Sequence, residues 1–486
     1  MQRLSGVDAA FLAVETPTTH MHVASLVLLD PDTAPGGWGF GALRDLIAGR
    51  LHLVPVFRRR VVEVPLGLDH PLWVEDPDFA IDHHLFRAAL PAPGGEAELA
   101  QLAAQIVSRP LDRGRPLWEM HVVEGLESGR VAVLVKIHHA AIDGLLGAEL
   151  LVQLLDLQPE PRPVAAEDPP WRADPLPTAA ELVAGAVASL AARPATLLET
   201  VRHTLDTVDT VRRRNQEAPD PPPPSPFRAP RTSINRPVTS RRRVAWSQVP
   251  LDDVRAVRAA FDCTVNDVVL TICGGALRAH LAGRDEHPDG DLVALVPVSV
   301  RTDDGLPTMA NLLSPMLVSL ATSVADPVER LAAVAAGAGR AKAQEREVGF
   351  EVVREWAELA VPALASTAAR WASQVRLADH LRPPCNLVVS NVPGPPVPLY
   401  LAGARVAAVF PMGPVADGIG LNVTVLSYVG RMYFGLVADE DAVAGLDDLA
   451  ARLAPALAEL VKAAADRTGP AAGRPPAPGQ PGGPRC

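Results

Sequence analysis

The chain has 486 residues, enough for two ordinary domains and a linker without the disulfides that small scaffolds need. A formal net charge of −11 argues against a general nucleic-acid binder, which would present a basic surface. The four cysteines include no C-x-x-C pair and no histidine in metal-ligand register, so neither a disulfide framework nor a zinc site is predicted. The sequence shows no signal-peptide core and no bilayer-spanning apolar window, which predicts a cytoplasmic protein, or at most one attached to a membrane surface.

Residues 1–158 alternate strand-like and helix-like segments, which predicts a mixed α/β domain. Two strand-like runs cover residues 23–29 and 131–137, and two helix-like segments cover residues 40–53 and 96–106. Both patterns follow from the spacing of the apolar residues.

The most informative segment of this domain ends in His138 and His139. Six of the seven residues from 131 to 137 are apolar, as in a strand buried on both faces, and helical spacing follows over 145–157. The histidines, with Asp143 and Gly144 after them, are therefore predicted at a strand-to-helix turn. A neutral imidazole there can take a proton from an alcohol and later give it to a leaving group. Two structural histidines with hydrogen-bonded rings are the alternative interpretation.

Asp143 and Gly144 have supporting roles in this hypothesis. The carboxylate of Asp143 could be a second catalytic acid, or it could brace the turn through an arginine, which is the interpretation favoured here. Gly144 would permit an unusual backbone angle beside it.

The other histidines and tryptophans singled out in this domain are interpreted as structural residues. His20 and His22 would share one face of a strand, but no carboxylate or cysteine partner is evident in the sequence, which favours packing over metal binding. The pair at 83–84 has no Asp-Gly after it and reads as part of a strand. Trp73 and Trp118, each preceded by Pro-Leu, are more typical of core anchors than of substrate contacts.

Residues 159–243 are predicted to form a linker. Its ends, 159–175 and 219–230, are rich in proline and incompatible with a packed core, and residues 194–211 have the spacing of an amphipathic helix. Residues 201–243 contain ten arginines against four acidic residues, a local reversal of the overall charge. Such a segment can lie on anionic lipid; the alternative is a solvated linker whose helix packs on its own domains.

A second α/β domain is predicted over residues 244–466, followed by a disordered Pro/Gly-rich tail over 467–486. Its helix-like segments are 252–260, 266–281 and 327–344. Its strand-like segments are 292–300, 316–321, 387–390, 421–427 and 432–436.

Taken together, the motifs of the chain resemble the bacterial wax ester synthase/diacylglycerol acyltransferase (WS/DGAT) family. This family lies within the CoA-dependent acyltransferases, which include chloramphenicol acetyltransferase and the condensation domains of peptide synthetases. Besides residues 138–144, the resemblance rests on segments 4–12, 21–23, 115–119, 266–270, 297–301 and 390–395. The combination of Pro116-Leu117-Trp118, Asn266-Asp267 and Asn391-Val392-Pro393-Gly394-Pro395 makes the resemblance specific.

The resemblance implies two chloramphenicol-acetyltransferase-like α/β domains that meet at a substrate tunnel. His139, beside His138, matches the catalytic histidine, which would deprotonate the acceptor hydroxyl without forming an acyl-enzyme. Acyl-CoA would be the donor substrate, diacylglycerol or a long-chain alcohol the acceptor, and no cofactor or metal would be needed. Attachment to the inner membrane or to lipid droplets follows from where such substrates partition.

The resemblance also implies roles for residues far from the histidines. Arg58 is similar to the arginine that pairs with the structural aspartate, here Asp143, in condensation domains. Asn266 matches an asparagine that faces the catalytic histidine and would donate to the thioester oxygen; its alternative is an N-cap for a helix starting at Asp267. The segment with Asn391, Pro393 and Gly394 is expected to shape a turn near the domain interface rather than to cradle phosphate.

Three functions remain open from the sequence. The first is acyl transfer from long-chain acyl-CoA to diacylglycerol, with fatty alcohols as additional acceptors. The second is a condensation-type acyltransferase that uses a carrier-protein donor. The third is a catalytically silent lipid-surface protein on the same fold, against which the intact His139, Asp143 and Asn266 argue.

Overall fold

The computed structural model describes residues 1–142, 152–165, 167, 171–217, 222–299 and 313–468. These residues form two six-stranded mixed sheets and one three-stranded antiparallel sheet, with helices packed around them. The predicted α/β class with mixed sheets is confirmed.

The strands of the described residues are β1 (Gln2–Arg3), β2 (His22–Asp30), β3 (Arg59–Val62), β4 (Leu72–Glu75), β5 (Leu85–Ala89), β6 (Trp118–Glu124), β7 (Val131–His138), β8 (Arg242–Pro250), β9 (Val293–Ser299), β10 (Leu313–Ser319), β11 (Leu387–Val392), β12 (Tyr400–Leu401), β13 (Ala404–Met412), β14 (Leu421–Tyr428) and β15 (Arg431–Asp439). Their α-helices are α1 (Gly6–Ala13), α2 (Phe40–Arg50), α3 (Glu96–Val107), α4 (Ala179–Glu217), α5 (Leu251–Phe261), α6 (Val265–Ala282), α7 (Pro327–Leu359), α8 (Pro362–Gln374), α9 (Leu446–Ala451) and α10 (Leu453–Thr468).

The first six-stranded sheet has the order β12-β13-β2-β7-β6-β5. Strand β7 lies inside it, antiparallel to β2 on one side and to β6 on the other. Its apolar run is buried almost throughout, because neighbours cover both faces of the sheet. The predicted buried strand that leads to the histidines is therefore confirmed.

This sheet is completed by residues from the second half of the chain. Strand β13 pairs antiparallel with β2, from Met412 opposite Ala24 to Arg405 opposite Asp30. The preceding strand, β11, belongs to the other six-stranded sheet, so the chain crosses between the sheets after residue 392. The domain boundaries at residues 158 and 243 stay predictions, with the added finding that residues 400–412 belong to the first sheet.

The second six-stranded sheet has the order β10-β9-β11-β14-β15-β8, with parallel pairing of β11 to both β9 and β14. Helix α6 supplies much of its core, including the fully buried Val268 and Leu270. The two sheets approach each other at Gly435 of β15, where a side-chain methyl would lie 1.8 Å from the carbonyl oxygen of Pro411 in β13. Only glycine allows this contact between the backbones.

The linker helix is longer than predicted and packs on the protein itself. Helix α4 begins at Ala179 and continues through Pro194, whereas the sequence suggested a start at that proline. It contacts α7, where His203 lies 3.1 Å from Glu355 and the Trp356 indole donates to Thr204 at 2.9 Å. Packing on its own domains was one of the two interpretations of this helix, and the structure shows that contact.

No single helix among the described residues is both long enough and apolar enough to span a membrane. Helices α5 and α6 meet the two requirements only as a pair, and their axes meet at a bend of 105°.

Candidate active site

The end of β7 holds His138 and His139 between the two flanking strands. The backbone N–H of His138 donates to the carbonyl of Leu117 at 2.9 Å, and that of His139 donates to the carbonyl of Met21 at 2.7 Å. A 3₁₀ turn, His139–Ala141, follows directly. The predicted strand end is thus confirmed, whereas Asp143, Gly144 and the start of the predicted helix lie outside the described residues.

The His138 ring is fixed from two sides and is almost fully buried. Its Nδ1 accepts a hydrogen bond from the backbone N–H of Ala140 at 3.0 Å, which leaves the ring proton on Nε2. That Nε2 faces Glu15 Oε1 at 3.6 Å. The His138 ring is therefore fixed in orientation and faces the protein interior, so it is not open to substrate.

Glu15 is a residue of this site that the sequence reasoning missed. Its carboxylate also accepts from Arg113, through Nε at 2.9 Å and Nη2 at 2.5 Å. Burial alone would raise the Glu15 pKa, but the neighbouring His138 ring and then the Arg113 guanidinium outweigh it and lower that pKa. An ionised Glu15 therefore links Arg113 to the histidine pair.

His139 is partly buried, and its Nδ1 atom is shielded from solvent. Its ring stacks on Phe11 of α1, with centroids 4.1 Å apart and planes inclined by 20°. Burial lowers the His139 pKa to about 4, a hydrogen bond to its own backbone opposes the shift, and His138 adds to it. The imidazole is consequently neutral at physiological pH, the form that a general base requires.

Phe11 is the second site residue that the sequence did not reveal. It lies in the segment of residues 4–12, which was quoted only as part of the resemblance. Glu15 follows three residues after that segment. A motif far from the histidines in sequence was thus the available signal for both residues.

The Pro116-Leu117-Trp118 motif positions β6 beside the histidine strand. Trp118 is buried, donates from its indole Nε1 to the carbonyl of Phe57 at 2.9 Å, and stacks on both Phe57 and His84. The prediction that this tryptophan anchors the core is confirmed. Because the Leu117 carbonyl accepts from His138, the motif acts on the site through the backbone.

Arg58 has a partner other than the one predicted. Its Nη1 and Nη2 donate to the two carboxylate oxygens of Glu167 at 2.7 and 2.9 Å, and its guanidinium lies 4.8 Å from the centre of the Trp171 ring. A carboxylate matches the two parallel donors of a guanidinium, which explains this pairing. Arg58 therefore fastens the Pro-rich segment to the first half of the chain, and Asp143, its predicted partner, lies outside the described residues.

Asn266 and Asp267 lie in the first turn of α6. The helix begins one residue before Asn266, and its N-cap is Thr264, whose hydroxyl accepts from the Asp267 N–H at 3.2 Å while Asp267 accepts from the Thr264 N–H at 2.8 Å. The alternative role of Asn266 as N-cap is therefore wrong, because this capping box occupies the position. The half-buried amide of Asn266 makes no hydrogen bond to another described residue.

The segment with Asn391, Pro393 and Gly394 leads the chain from β11 toward the other sheet. Asn391 is part of β11, and Pro393 and Gly394 follow the end of the strand. The N–H of Gly394 donates to Ser427 Oγ at 3.2 Å, and a methyl group here would lie 2.1 Å from the Ser427 carbonyl oxygen. The glycine thus allows a close backbone contact at the crossing.

One histidine of each remaining pair has a structural contact. His22 Nε2 lies 2.9 Å from the carbonyl oxygen of Val107, and His84 Nδ1 lies 2.8 Å from that of Trp118. His83 is exposed on a 3₁₀ turn before β5. Within the described ranges, no group of three His, Cys, Asp or Glu side chains could hold a metal ion.

Comparison with known proteins assigns the chain to a family. The family model of the wax ester synthase/diacylglycerol acyltransferase catalytic domain matches residues 4–269, and that of the WS/DGAT C-terminal domain matches residues 309–461. A Mycobacterium tuberculosis protein named as a diacylglycerol O-acyltransferase is 37% identical over 468 residues, 96% of this chain and 91% of that protein. A second one from the same organism is 37% identical over 465 residues, 96% of this chain and 98% of its own length.

Solved structures agree with this assignment. The wax ester synthase/diacylglycerol acyltransferase from Marinobacter aquaeolei VT8 is 28% identical, with a TM-score of 0.65 over 95% of this chain and 100% of that one. The first condensation domain of the calcium-dependent antibiotic synthetase, at 16% identity, has a TM-score of 0.56 over 96% and 97% of the two chains, a likeness of fold alone. The chain belongs to the wax ester synthase/diacylglycerol acyltransferase family.

Proposed function

We propose that this protein transfers a long-chain acyl group from acyl-CoA to the hydroxyl of diacylglycerol, and also to that of a fatty alcohol. Membership of the WS/DGAT family makes it an acyl-CoA-dependent acyltransferase. The observation that carries the proposal is the position of His139 directly after β7, where its ring stacks on Phe11.

In the proposed reaction, His139 takes the proton of the acceptor hydroxyl as its oxygen attacks the thioester carbonyl carbon. A new C–O bond forms, and the C–S bond of the tetrahedral intermediate then breaks. The imidazolium returns its proton to the departing thiolate, so the products are an ester and free CoA. A neutral base that gains one proton and gives it back needs no covalent acyl-enzyme.

Asn266 is proposed to stabilise the negative charge that develops on the thioester oxygen. Its amide is not needed as the cap of α6, because Thr264 and Asp267 form the capping box. Removal of one such donor typically lowers the rate by about 10²–10³. For Asn266→Ala we expect a loss of that order in kcat, with folding retained.

The proposed substrates also suggest where the protein works. Diacylglycerol, fatty alcohols and long-chain acyl-CoA carry apolar chains that partition into lipid layers. We propose a cytoplasmic protein that acts at the surface of the inner membrane or of lipid droplets, with acyl-CoA as a substrate and without a cofactor.

The test is release of the CoA thiol from palmitoyl-CoA by the purified full chain, with diacylglycerol and hexadecanol as separate acceptors. His139→Ala should abolish acceptor-dependent release, and His83→Ala, which alters the exposed histidine of the other His-His pair, should not. Absence of release from the wild type with either acceptor would reject the proposal.

A further inference from the structure

Helix α8 turns its large apolar side chains toward solvent. Leu364 is 70% exposed, Trp371 57% and Val375, which follows the last turn, 41%. At 100° per residue these three positions fall within about 40° of one another around the helix axis. They form one apolar stripe, and α8 has no buried residue.

The opposite side of α8 is small and polar. Ser373 lies there, with its Oγ 3.4 Å from Thr18 Oγ1 in the loop before β2. Helix α8 also packs on α1. A helix on the surface of a water-soluble domain buries its apolar side, so α8 has the reverse orientation.

The turn beside α8 extends this apolar surface. Leu66 is 83% exposed, and the adjacent Gly67 lies so close to Ala363 of α8 that a methyl group would approach its Cβ to 2.8 Å. Leu66 therefore stands next to the beginning of α8. The stripe of Leu364, Trp371 and Val375, together with Leu66, is called here the α8 surface.

The α8 surface has one cation beside it that is not neutralised by a neighbouring carboxylate. Arg370 forms no ion pair with another described residue and contacts only the hydroxyl of Ser366, at 3.4 Å, whereas Arg376 donates to Asp379 at 2.7 Å. Apolar and tryptophan side chains with arginines beside them suit the boundary between headgroups and acyl chains in an anionic phospholipid layer. The charge of Arg370 would also be attracted to the phosphates of such a layer.

The α8 surface is one helix away from the histidine pair. Helix α1 contacts both α8 and the turn His139–Ala141. Phe11, which stacks on His139, belongs to α1. A lipid layer on α8 would therefore be separated from the histidine pair by α1 alone.

We propose that the α8 surface binds an anionic phospholipid layer and presents the active site to the acceptor lipid within it. This inference rests on the proposed function, because it assigns a lipid-borne acceptor to the same site. It places lipid binding on α8 rather than on the basic linker helix, whose His203 and Thr204 contact α7.

The experiment is co-sedimentation of the full chain with vesicles of phosphatidylglycerol and phosphatidylcholine. The double variant L364S/W371S should bind about tenfold more weakly or worse, since it withdraws two large side chains from the lipid. The matched control is Leu157→Ser, which alters a 69% exposed leucine next to Asp156, the residue that pairs with Tyr400 of β12, and should bind as the wild type does. Arg370→Gln should weaken binding to these vesicles but not to pure phosphatidylcholine.

Two results would overturn the inference. One is unchanged vesicle binding by L364S/W371S. The other is a dimer of the wild type in sedimentation equilibrium that this variant abolishes, which would assign the α8 surface to a second copy of the chain. Vesicle binding is measured without turnover of substrate. Absence of acyltransferase activity in the wild type would therefore reject the proposed function without affecting the result on lipid binding.

Discussion

The Phe11 ring lies flat against the His139 imidazole, with centroids 4.1 Å apart. The orientation of the proposed base therefore depends on α1. We expect Phe11→Leu to lower kcat about three- to tenfold with little change in KM, because an aromatic pair contributes about 0.5–1.5 kcal/mol. Steady-state kinetics with palmitoyl-CoA and diacylglycerol measure this effect.

A second Phe–His pair supplies the control for Phe11. Phe86 stacks on His121 with centroids 4.8 Å apart and planes inclined by 19°; Phe86 lies on the edge strand β5 and His121 on its neighbour β6. Phe86→Leu should leave kcat unchanged. An equal loss in both variants would show that a general change in stability, and not the contact with His139, is responsible.

Glu15 is predicted to position the histidine pair through His138. Its Oε1 lies 3.6 Å from His138 Nε2, which bears the ring proton. Glu15→Gln removes the negative charge but keeps the side-chain shape, so we expect a fall in kcat of about tenfold and a change in the pH dependence of kcat, with KM nearly constant. The measurement is a pH–rate profile of the variant beside the wild type.

Glu63 provides the comparison for Glu15. It also accepts from Arg113, at 3.3 Å, but it is not a contact of the histidine pair and its side chain is 56% exposed. Glu63→Gln should therefore keep the wild-type pH–rate profile. If Glu15→Gln keeps that profile as well, the positioning role is refuted.

The lowered pKa of His139 predicts an unusual pH dependence. A general base acts when deprotonated, and burial holds the pKa of this imidazole at about 4 instead of 6.5. The kcat/KM value should thus show no loss from this group as the pH falls through 6.5, and should decline only toward pH 4. A decline centred near pH 6.5 that is assigned to His139 by NMR titration would contradict this account.

The same shift makes a prediction about stability. Between pH 6.5 and about 4, His139 is protonated in the unfolded chain but stays neutral in the folded protein. The free energy of unfolding therefore falls as the pH is lowered through this window. In urea unfolding at the two ends of the window, His139→Gln should lose less stability than the wild type. The other buried histidines contribute to both proteins, so the difference isolates His139.

Local patterns in the sequence predicted the elements that carry the site. The apolar run before His138 predicted a strand buried on both faces, because a strand with two buried faces needs apolar residues at consecutive positions. The strand at 404–412 was not predicted, although it pairs with β2 in the same sheet. Its partner is nearly 400 residues earlier in the chain, and such pairing depends on tertiary contacts that periodicity does not report.

Tertiary contacts also determine where helices end and which side chains meet in the site, and the sequence pattern did not predict these either. Helix α7 continues to Leu359, beyond the predicted end at 344, and its last turn contacts α1. Motif spacing identified His138 and His139, but the contacts of Glu15 and Phe11 with them depend on the packing of α1, and of the residues after it, against the turn that follows β7. Arg58 contacts Glu167, a partner that the sequence did not suggest, while its predicted pairing with Asp143 stays a prediction.

The position of α1 itself depends on Gly6. A methyl group on Gly6 would lie 2.3 Å from the backbone nitrogen of Glu358 at the end of α7, and the Gly6 N–H donates to Glu358 Oε1 at 2.5 Å. Gly6→Ala must therefore push α1 away from α7, and backbone atoms cannot yield as a flexible side chain does. We expect a loss of about 1–3 kcal/mol in the free energy of unfolding.

The displacement of α1 should also reach the active site, because α1 carries Phe11. We expect Gly6→Ala to lower kcat as Phe11→Leu does, and differential scanning calorimetry with steady-state kinetics measures both effects. Gly339→Ala is the matched control: this glycine is exposed in the middle of α7 with nothing within 4 Å of a new methyl group. Alanine there should raise stability by about 0.5–1 kcal/mol and leave kcat unchanged. Wild-type stability and kcat in Gly6→Ala would show that α1 does not hold His139 through this contact.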